Sequence, residues 1–356
     1  MTHLFTPGPV PVPPEVQEAC ARRVLYHHSQ DFSELSRNVW RGLQEVFCTT
    51  GPVLTLSGSG MTGIEACIAS TVRRGDRVVV LQHGRFGARL VTINKLYGAH
   101  VIELSVSLGE TISPELVQDR LKGIDGISTV WLVHSETSTG VALDLAGIAS
   151  VVREYAPHAL LMVDAVLTLA IQELKTDEWH LDAVVAGIQK GLMCPPGIAC
   201  VAISEKFIAR MSACDPSSYT LDLRTVLDFQ RRGLSPWTPP VSLMAGLDVS
   251  LTDITNRGLH SIWQHHNELV QFVQQQCMAR GFTQFGDGTS RGVVVVQHPE
   301  VSMIIHELAE RHNIIVAGGQ DTLKDKVMRI GTCGSYTIKK MTELFAAIDS
   351  ILLKNT

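Results

Sequence analysis

Between residues 53 and 203 the apolar positions fall into short continuous runs, and the stretches between the runs repeat apolar residues every three or four positions. The runs occupy 53–56, 77–81, 100–104, 129–133, 159–166, 182–188 and 198–203. A strand that is apolar at nearly every position is one covered on both faces, and alternation of such strands with helical periodicity predicts an α/β fold, a mostly parallel sheet wrapped by helices. Ahead of the first run, Val16, Ala19 and Cys20, then Phe32, Leu35, Val39, Leu43, Val46 and Phe47, predict two helices with His27-His28-Ser29 between them. Further helices are predicted after the turn at 57–60, from Arg85 onward, over 114–122, near 145–155 and over 205–213. The span 214–240 reads as loop-rich and 241–280 as a long helical pattern. Past 281 the period changes: strands at 292–297, 314–317 and 327–331 alternate with helices at 301–312 and 337–353, a compact α+β unit. Pro7, Pro9, Pro11, Pro13 and Pro14 force residues 3–14 into an extended course, expected to pack near that unit. The expected organisation is an arm (1–14), a large domain (15–260) and a small C-terminal α+β domain (261–356).

Composition narrows the classes of function. With 45% hydrophobic and 18% charged positions over 356 residues the chain can bury a large core, and a formal charge of −5 without a long basic cluster argues against nucleic acid. No apolar stretch approaches the ~20 residues of a membrane helix, and residues 1–9 do not form a charged region followed by an apolar one. A cytoplasmic protein with no membrane attachment is therefore expected, and Lys354-Asn355-Thr356 is no peroxisomal address. Eight scattered cysteines without a C-x-x-C pair point to neither zinc nor a disulfide framework, and the adjacent histidines lack a third ligand, so no metal site is expected.

Chemistry concentrates at the strand ends. Lys190 closes the apolar run at 182–188 among small, apolar and proline residues; poor solvation there would disfavour the ammonium and favour a nucleophilic amine, unless the side chain snorkels to water. Asp164 is the charge at the end of the run before it, 26 residues upstream, which suggests one strand-helix-strand unit between them. Ser57-Gly58-Ser59-Gly60 lies between a strand and a helix start, a cradle for a phosphate or simply a tight turn. Phe86 stands between glycines at another strand end, to cover a planar ligand or to pack in the core. The polar stretch from His134 to Gly140 is costly to bury without partners, as a site or as a capped loop. Phosphate cradle, flat ring, carboxylate and lysine together are what pyridoxal 5′-phosphate requires: donors for its phosphate, a cover for its ring, a partner for its pyridine nitrogen and an amine for its aldehyde.

In these motifs the chain resembles the class V aminotransferases of fold-type I pyridoxal-phosphate enzymes. The likeness runs through F-T-P-G-P at 5–9, S-G-S-G at 57–60, H-G-R-F-G at 83–87, H-S-E-T-S-T-G at 134–140, V-D-A-V at 163–166, Q-K-x-L-x-x-P-P-G at 189–197, T-P-P at 238–240 and R-I-G at 329–331. It is nearest the alanine/serine–glyoxylate or pyruvate enzymes and the 2-aminoethylphosphonate–pyruvate enzymes. The resemblance implies that Lys190 carries the cofactor and shuttles the substrate proton, that Asp164 pairs with the ring nitrogen and that Phe86 stacks on the ring. It further implies that Ser59, Gly60 and Gln189 hold the phosphate with Thr238 of a second subunit, that Thr137 bonds the ring hydroxyl, and that Met61 and Val166 complete the cofactor pocket. Arg329 would grip the substrate carboxylate near Gly8, although a strand-edge surface arginine is its plainer reading. A homodimer is implied, with sites completed across the interface.

Three departures bear on substrate rather than reaction: Met61 where a polar aromatic residue is common, Leu167-Thr168 where a serine-rich pair is common, and Ser235 where some members have tyrosine. The expected activity is transfer of an amino group from alanine or serine to glyoxylate or pyruvate by a ping-pong course. 2-Aminoethylphosphonate or ureidoglycine are alternative donors. A desulfurase or lyase is disfavoured because Gln189 stands where those enzymes carry histidine, Cys333 reads as a packed thiol, and a non-catalytic binding relative would not need Lys190, Asp164 and Arg329 together.

Overall fold

The computed structural model describes residues 3–353, so Met1, Thr2 and the Lys354-Asn355-Thr356 end, with the address reading made of it, lie outside. The main sheet has seven strands in the order Val53–Gly58, Gly197–Ile203, Ala183–Gly187, Leu160–Asp164, Ile127–Val133, Arg77–Gln82 and His100–Ser105. Every pairing among the last five is parallel, and Gly197–Ile203 runs antiparallel between its two neighbours. Continuous apolar runs follow from this layering. In Arg77–Gln82, Val78 and Val80 join the core on one face, with Trp131 and Met162, while Val79 and Leu81 join the core on the other, with Leu132 and Leu161. Burying a side chain of this size on either face contributes about 1.5–3 kcal/mol, so an alternating strand would forfeit one of the two layers.

A second sheet orders Thr283–Gln284, Val293–Gln297, Met328–Gly331 and Ala317–Gly318, all antiparallel, under helices Leu259–Met278 and Val301–His312, against which Ile338–Leu352 packs. The arm is stitched to this part of the molecule. His3–Leu4 pairs in parallel with Ile314–Ile315, Phe5 is fully buried and stacked on Tyr336 with ring centroids 5.6 Å apart, and the Gly331 amide donates to Phe5 O at 2.7 Å.

Three sequence expectations need correction. The connection from Asp164 to the strand Ala183–Gly187 contains turns in place of a helix, with Ala170 and His180 at positive φ; the two strands nevertheless pair directly. Its apolar positions Leu167, Leu169, Ile171 and Leu174 have near-helical spacing but pack into the core as a compact irregular loop. The span 214–240 contains the helix Leu223–Arg231, capped by Asp222, whose side chain accepts from the Arg224 amide. The pattern over 241–280 is two helices, Val241–Arg257 and Leu259–Met278, separated at Gly258, whose φ of 77° interrupts the helical backbone.

Candidate active site

Parallel pairing brings the carboxyl ends of Arg77–Gln82, Ile127–Val133, Leu160–Asp164 and Ala183–Gly187 to one edge, the edge at which sheets of this kind bind ligands. A cavity of ≈200 Å³ opens there. Its walls include Ser59, Gly60, Met61, Phe86, Thr137, Asp164, Val166, Gln189 and Lys190, so the residues singled out in five separate sequence motifs meet in one place. Ile64, Arg89, Val133, Ser135 and Leu167 complete the lining; of these the sequence reading raised Leu167, as a departure at the pocket, and not the other four.

Three polar walls of the cavity are left short of partners. Ser59 is the N-cap of helix Gly60–Thr71 but its side chain makes no cap bond, unlike Ser29, Ser113 and Ser204, which each accept from an amide of the helix they precede. The first-turn amides of an α-helix have no intrahelical acceptor, and together with the helix dipole they favour an anion. Asp164 is buried, and its hydrogen bond among the described residues comes from the Val166 amide to Oδ1 at 2.9 Å. Burial, reinforced by the charge of Glu136 and opposed by the Val166 bond, Lys190 and Arg89, pushes its carboxyl up to about 6. Among the described residues no cation lies within ion-pairing distance of it. Gln189 has a buried Oε1 with no partner among the described residues.

Lys190 lies under the arm. Its Nζ donates to Pro7 O, with Gly8 O at 3.4 Å. Burial and the nearby Arg329 charge hold the ammonium below its ordinary value, against an upward pull from Asp164. Cys333, which also faces it, is a neutral thiol because burial pushes it up to about 11. Gly8 has φ 113° and sits so close that a Cβ would overlap the lysine side chain, so glycine is required there both for conformation and for space.

Arg329 does not line the cavity itself. It is buried beside it, with Nε donating to Gly318 O at 2.8 Å and Nη1 3.4 Å from Thr137 O and 3.5 Å from Gln320 Oε1. Thr238 is exposed and absent from the lining of the Lys190 cavity, on the segment whose Ser235 lines a separate cleft with Thr55, Ser57 and Trp237. Within this chain neither Thr238 nor Ser235 reaches the cavity.

Glu136 is the residue the sequence reading left without a role. It is fully buried, and its carboxylate accepts from the Phe86 amide at 2.8 Å, the Gly87 amide at 3.2 Å, the Ser138 amide at 3.1 Å and the Ser138 hydroxyl at 2.6 Å. These bonds anchor the start of helix Arg85–Leu96 and with it Phe86, over whose ring the Arg89 guanidinium lies at 4.8 Å. Gly84 permits the approach, since a Cβ there would overlap Glu136 and come within 2.8 Å of Ser138 Oγ. The sequence signal was available: one acid within a polar stretch at a strand end. Among the described residues no group of His, Cys, Asp and Glu is arranged to hold a metal, and no helix is long and apolar enough to cross a membrane.

Comparison with known proteins places this geometry. The aminotransferase class-V family model matches residues 15–339. An uncharacterized aminotransferase of Methanocaldococcus jannaschii is 33% identical over 98% of this chain and 92% of its own length. Among solved structures, an alanine–glyoxylate aminotransferase of Nostoc sp. superposes with a TM-score of 0.94 at 29% identity, covering 99% of this chain and 95% of that one. An aspartate aminotransferase of subgroup IV from Thermus thermophilus superposes with a TM-score of 0.92 at 32% identity, covering 99% of each chain. With its seven-stranded sheet, its arm over Lys190 and its matched length, the chain belongs to the class V aminotransferases.

Proposed function

We propose that the protein is a pyridoxal-phosphate-dependent transaminase that moves an amino group from a small amino acid, alanine or serine, to glyoxylate or pyruvate. The observation that carries the reading is the convergence on one cavity of an uncapped helix end, a buried carboxylate without a cation and a partly desolvated lysine amine. These are complementary to a phosphate, a ring nitrogen that carries a proton, and an aldehyde. When bound, pyridoxal phosphate supplies an aldehyde that accepts the amino group and a ring that withdraws electrons from the substrate's Cα.

The chain's own residues do the rest. Ser59, Gly60 and Gln189 hold the phosphate, Met61 and Val166 frame the ring, Phe86 covers it and Thr137 bonds its hydroxyl. Asp164 retains the ring-nitrogen proton, a role suited to a carboxylate so poorly supplied with other partners. Lys190 Nζ takes and returns the proton at the substrate's Cα; its depressed basicity raises the fraction of free amine near neutral pH, the form able to act as base. Arg329 grips the α-carboxylate with its planar fork, and the arm at Gly8 roofs the amine and keeps water from it. A domain of 15–260 carries this machinery, and a domain of 261–356 brings Arg329 to it. In the assembly we propose, a cytoplasmic homodimer, Thr238 of each subunit reaches the other's phosphate.

Purified protein incubated with pyridoxal phosphate and dialysed should keep a visible absorption band. Lys190→Ala should lose that band and at least ~10³-fold in turnover, within the range for removal of a general base. The band should then respond separately to alanine, serine, aspartate and 2-aminoethylphosphonate. Wild-type protein that retains no cofactor ends this reading, and a response to the phosphonate alone replaces the donor.

A further inference from the structure

A second cavity, of ≈590 Å³, is larger than the one at Lys190 and shares no lining residue with it. One wall is the helix Leu259–Met278, whose residues 260, 263, 264 and 267 follow the spacing of a single helical face. That face carries His260, Trp263, Gln264 and Asn267, where a stripe packed into a core would be aliphatic. His134, just past the strand Ile127–Val133, and Gln172 and Trp179, from the irregular loop after Asp164, come from the large sheet's side. Arg291, two residues before the strand Val293–Gln297, comes from the small sheet's. The two cavities are neighbours: His134 lines this one and Ser135 the other, and the Ser135 hydroxyl donates to Oγ of Ser290, the residue before Arg291, at 2.7 Å.

Arg291 is the unanswered charge of this lining. Elsewhere a partly buried guanidinium has its acid: Arg85 Nε lies 3.3 Å from Asp321 Oδ2, and Arg153 Nη2 lies 3.0 Å from Asp182 Oδ2. The Arg291 side chain has no ion pair or hydrogen bond among the described residues, and burial with no opposing charge holds it below its ordinary value. Its tie to the fold runs through the main chain, where Arg291 O accepts from Thr332 Oγ1 at 2.8 Å. The two acids of the lining are engaged elsewhere. Asp144 Oδ1 accepts from the Gly147 amide at 3.0 Å as the cap of helix Leu145–Tyr155, and Glu173 Oε1 lies 3.1 Å from Lys175 Nζ. Three of the lining residues also carry buried polar atoms with no partner among the described residues, His134 Nδ1, Gln172 Oε1 and Trp263 Nε1. Native interiors leave few such atoms, and each asks for a reason.

We propose that this cavity is a second ligand site, separate from the Lys190 cavity, and that it takes a flat aromatic or heterocyclic monocarboxylic acid. The carboxylate goes to the Arg291 fork, whose geometry suits two parallel hydrogen bonds, beside the Asn267 amide. The flat body lies among Trp179, Trp263, Leu143 and Leu145, where contact between rings adds to the gain from burial. A single negative charge is specified, because one guanidinium answers one carboxylate and a doubly charged ligand would face Asp144 and Glu173 with its second charge unanswered. The volume lies within the range of about 300–1,000 Å³ in which small molecules are held. The ligand is bound without making or breaking a covalent bond. Neither Arg291 nor this cavity has a part in the transaminase reaction, so the site stands or falls apart from that reading.

The test is calorimetric titration of protein saturated with pyridoxal phosphate, using 2-naphthoate and its uncharged counterpart 2-naphthamide as probes. Wild type is expected to bind the acid about tenfold or more tightly than the amide, as a charge-assisted contact should provide. Arg291→Gln should erase that preference, and Arg291→Lys, which keeps the charge but not the fork, should retain part of it. Trp263→Leu should weaken both probes alike. Arg329→Gln, beside the other cavity, should leave the affinity for 2-naphthoate unchanged. The thermal midpoint of Arg291→Gln should match wild type, since the side chain makes no bond in the fold, so that lost binding is not lost structure. If the protein takes up no cofactor, the same variants titrated without it decide the matter. Absence of binding at about 1 mM 2-naphthoate, equal binding of acid and amide, an affinity unmoved by Arg291→Gln, or one abolished by Arg329→Gln overturns the proposal.

Discussion

Two carboxylates lie deep in the main sheet near opposite ends of neighbouring strands, and the molecule treats them differently. Asp182, just before the strand Ala183–Gly187, is matched on every side: Arg153 Nη2 at 3.0 Å, the Leu161 amide at 2.9 Å, Ser204 Oγ at 2.8 Å and Lys206 Nζ at 3.7 Å. Asp164, at the far end of Leu160–Asp164, has the Val166 amide and a cavity. The serines nearby repeat the contrast. Ser204 spends its hydroxyl on Asp182 and on the Phe207 amide, whereas Ser59 caps nothing. A buried polar group with all its partners holds a fold together; one left wanting, beside open space, is shaped for something the chain does not contain.

That distinction breaks if the two aspartates respond alike to substitution. Asp164→Asn should reduce turnover by roughly 10²–10⁴-fold, the range for losing a group that governs proton placement, without lowering the thermal midpoint of the apoprotein. Its folded-state pKa is raised, from 3.8 to about 6. The penalty on folding is therefore absent below the unfolded value and fully present above about 6, so Asp164→Asn apoprotein should gain up to about 3 kcal/mol over wild type as pH rises through that window. Asp182→Ala should do the reverse, costing about 3–5 kcal/mol of stability because it strands a partly buried arginine, while folded protein still takes up cofactor. Calorimetric melts and steady-state rates on the two variants check both.

Acid should sharpen the contrast. The Asp164 carboxylate is the form that pairs with a protonated ring nitrogen, so cofactor affinity should fall by about tenfold per pH unit below about 6. A fluorescence titration of apoprotein with pyridoxal phosphate measures it, and Asp164→Asn should flatten the dependence. The smallest effect belongs to the serines. Ser204→Ala should cost about 1 kcal/mol of stability as a lost cap, and Ser59→Ala should leave stability unaltered while weakening cofactor binding about fivefold, as loss of one hydrogen bond does.

Much of this was legible in the chain because strand ends mark themselves: Asp164 and Lys190 are charges at the ends of apolar runs, and the fold that juxtaposes them follows from the runs. The link between them was misread, since Leu167, Leu169, Ile171 and Leu174 bury as well from an irregular loop as from a helix, and spacing does not separate the two. Glu136 was passed over for a different reason. A lone acid in a polar stretch at a strand end signals a buried role, but it does not announce that the partners are the Phe86 and Gly87 amides and Ser138. Arg85 and Asp321 lie too far apart in sequence for a pairing to be read, and only the packing of the two sheets brings them together.

The arm that roofs Lys190 precedes the large sheet along the chain, and the partners that place it follow that sheet. His3 and Leu4 wait for Ile314 and Ile315, and Phe5 waits for Gly331 and Tyr336. On the ribosome the large sheet can form while the arm still hangs free, since domains fold as their residues emerge. The lysine is roofed only once residues 314–336 have been made, so a product cut short before them would present an unshielded amine, and completing the small sheet and closing the catalytic chamber are one event.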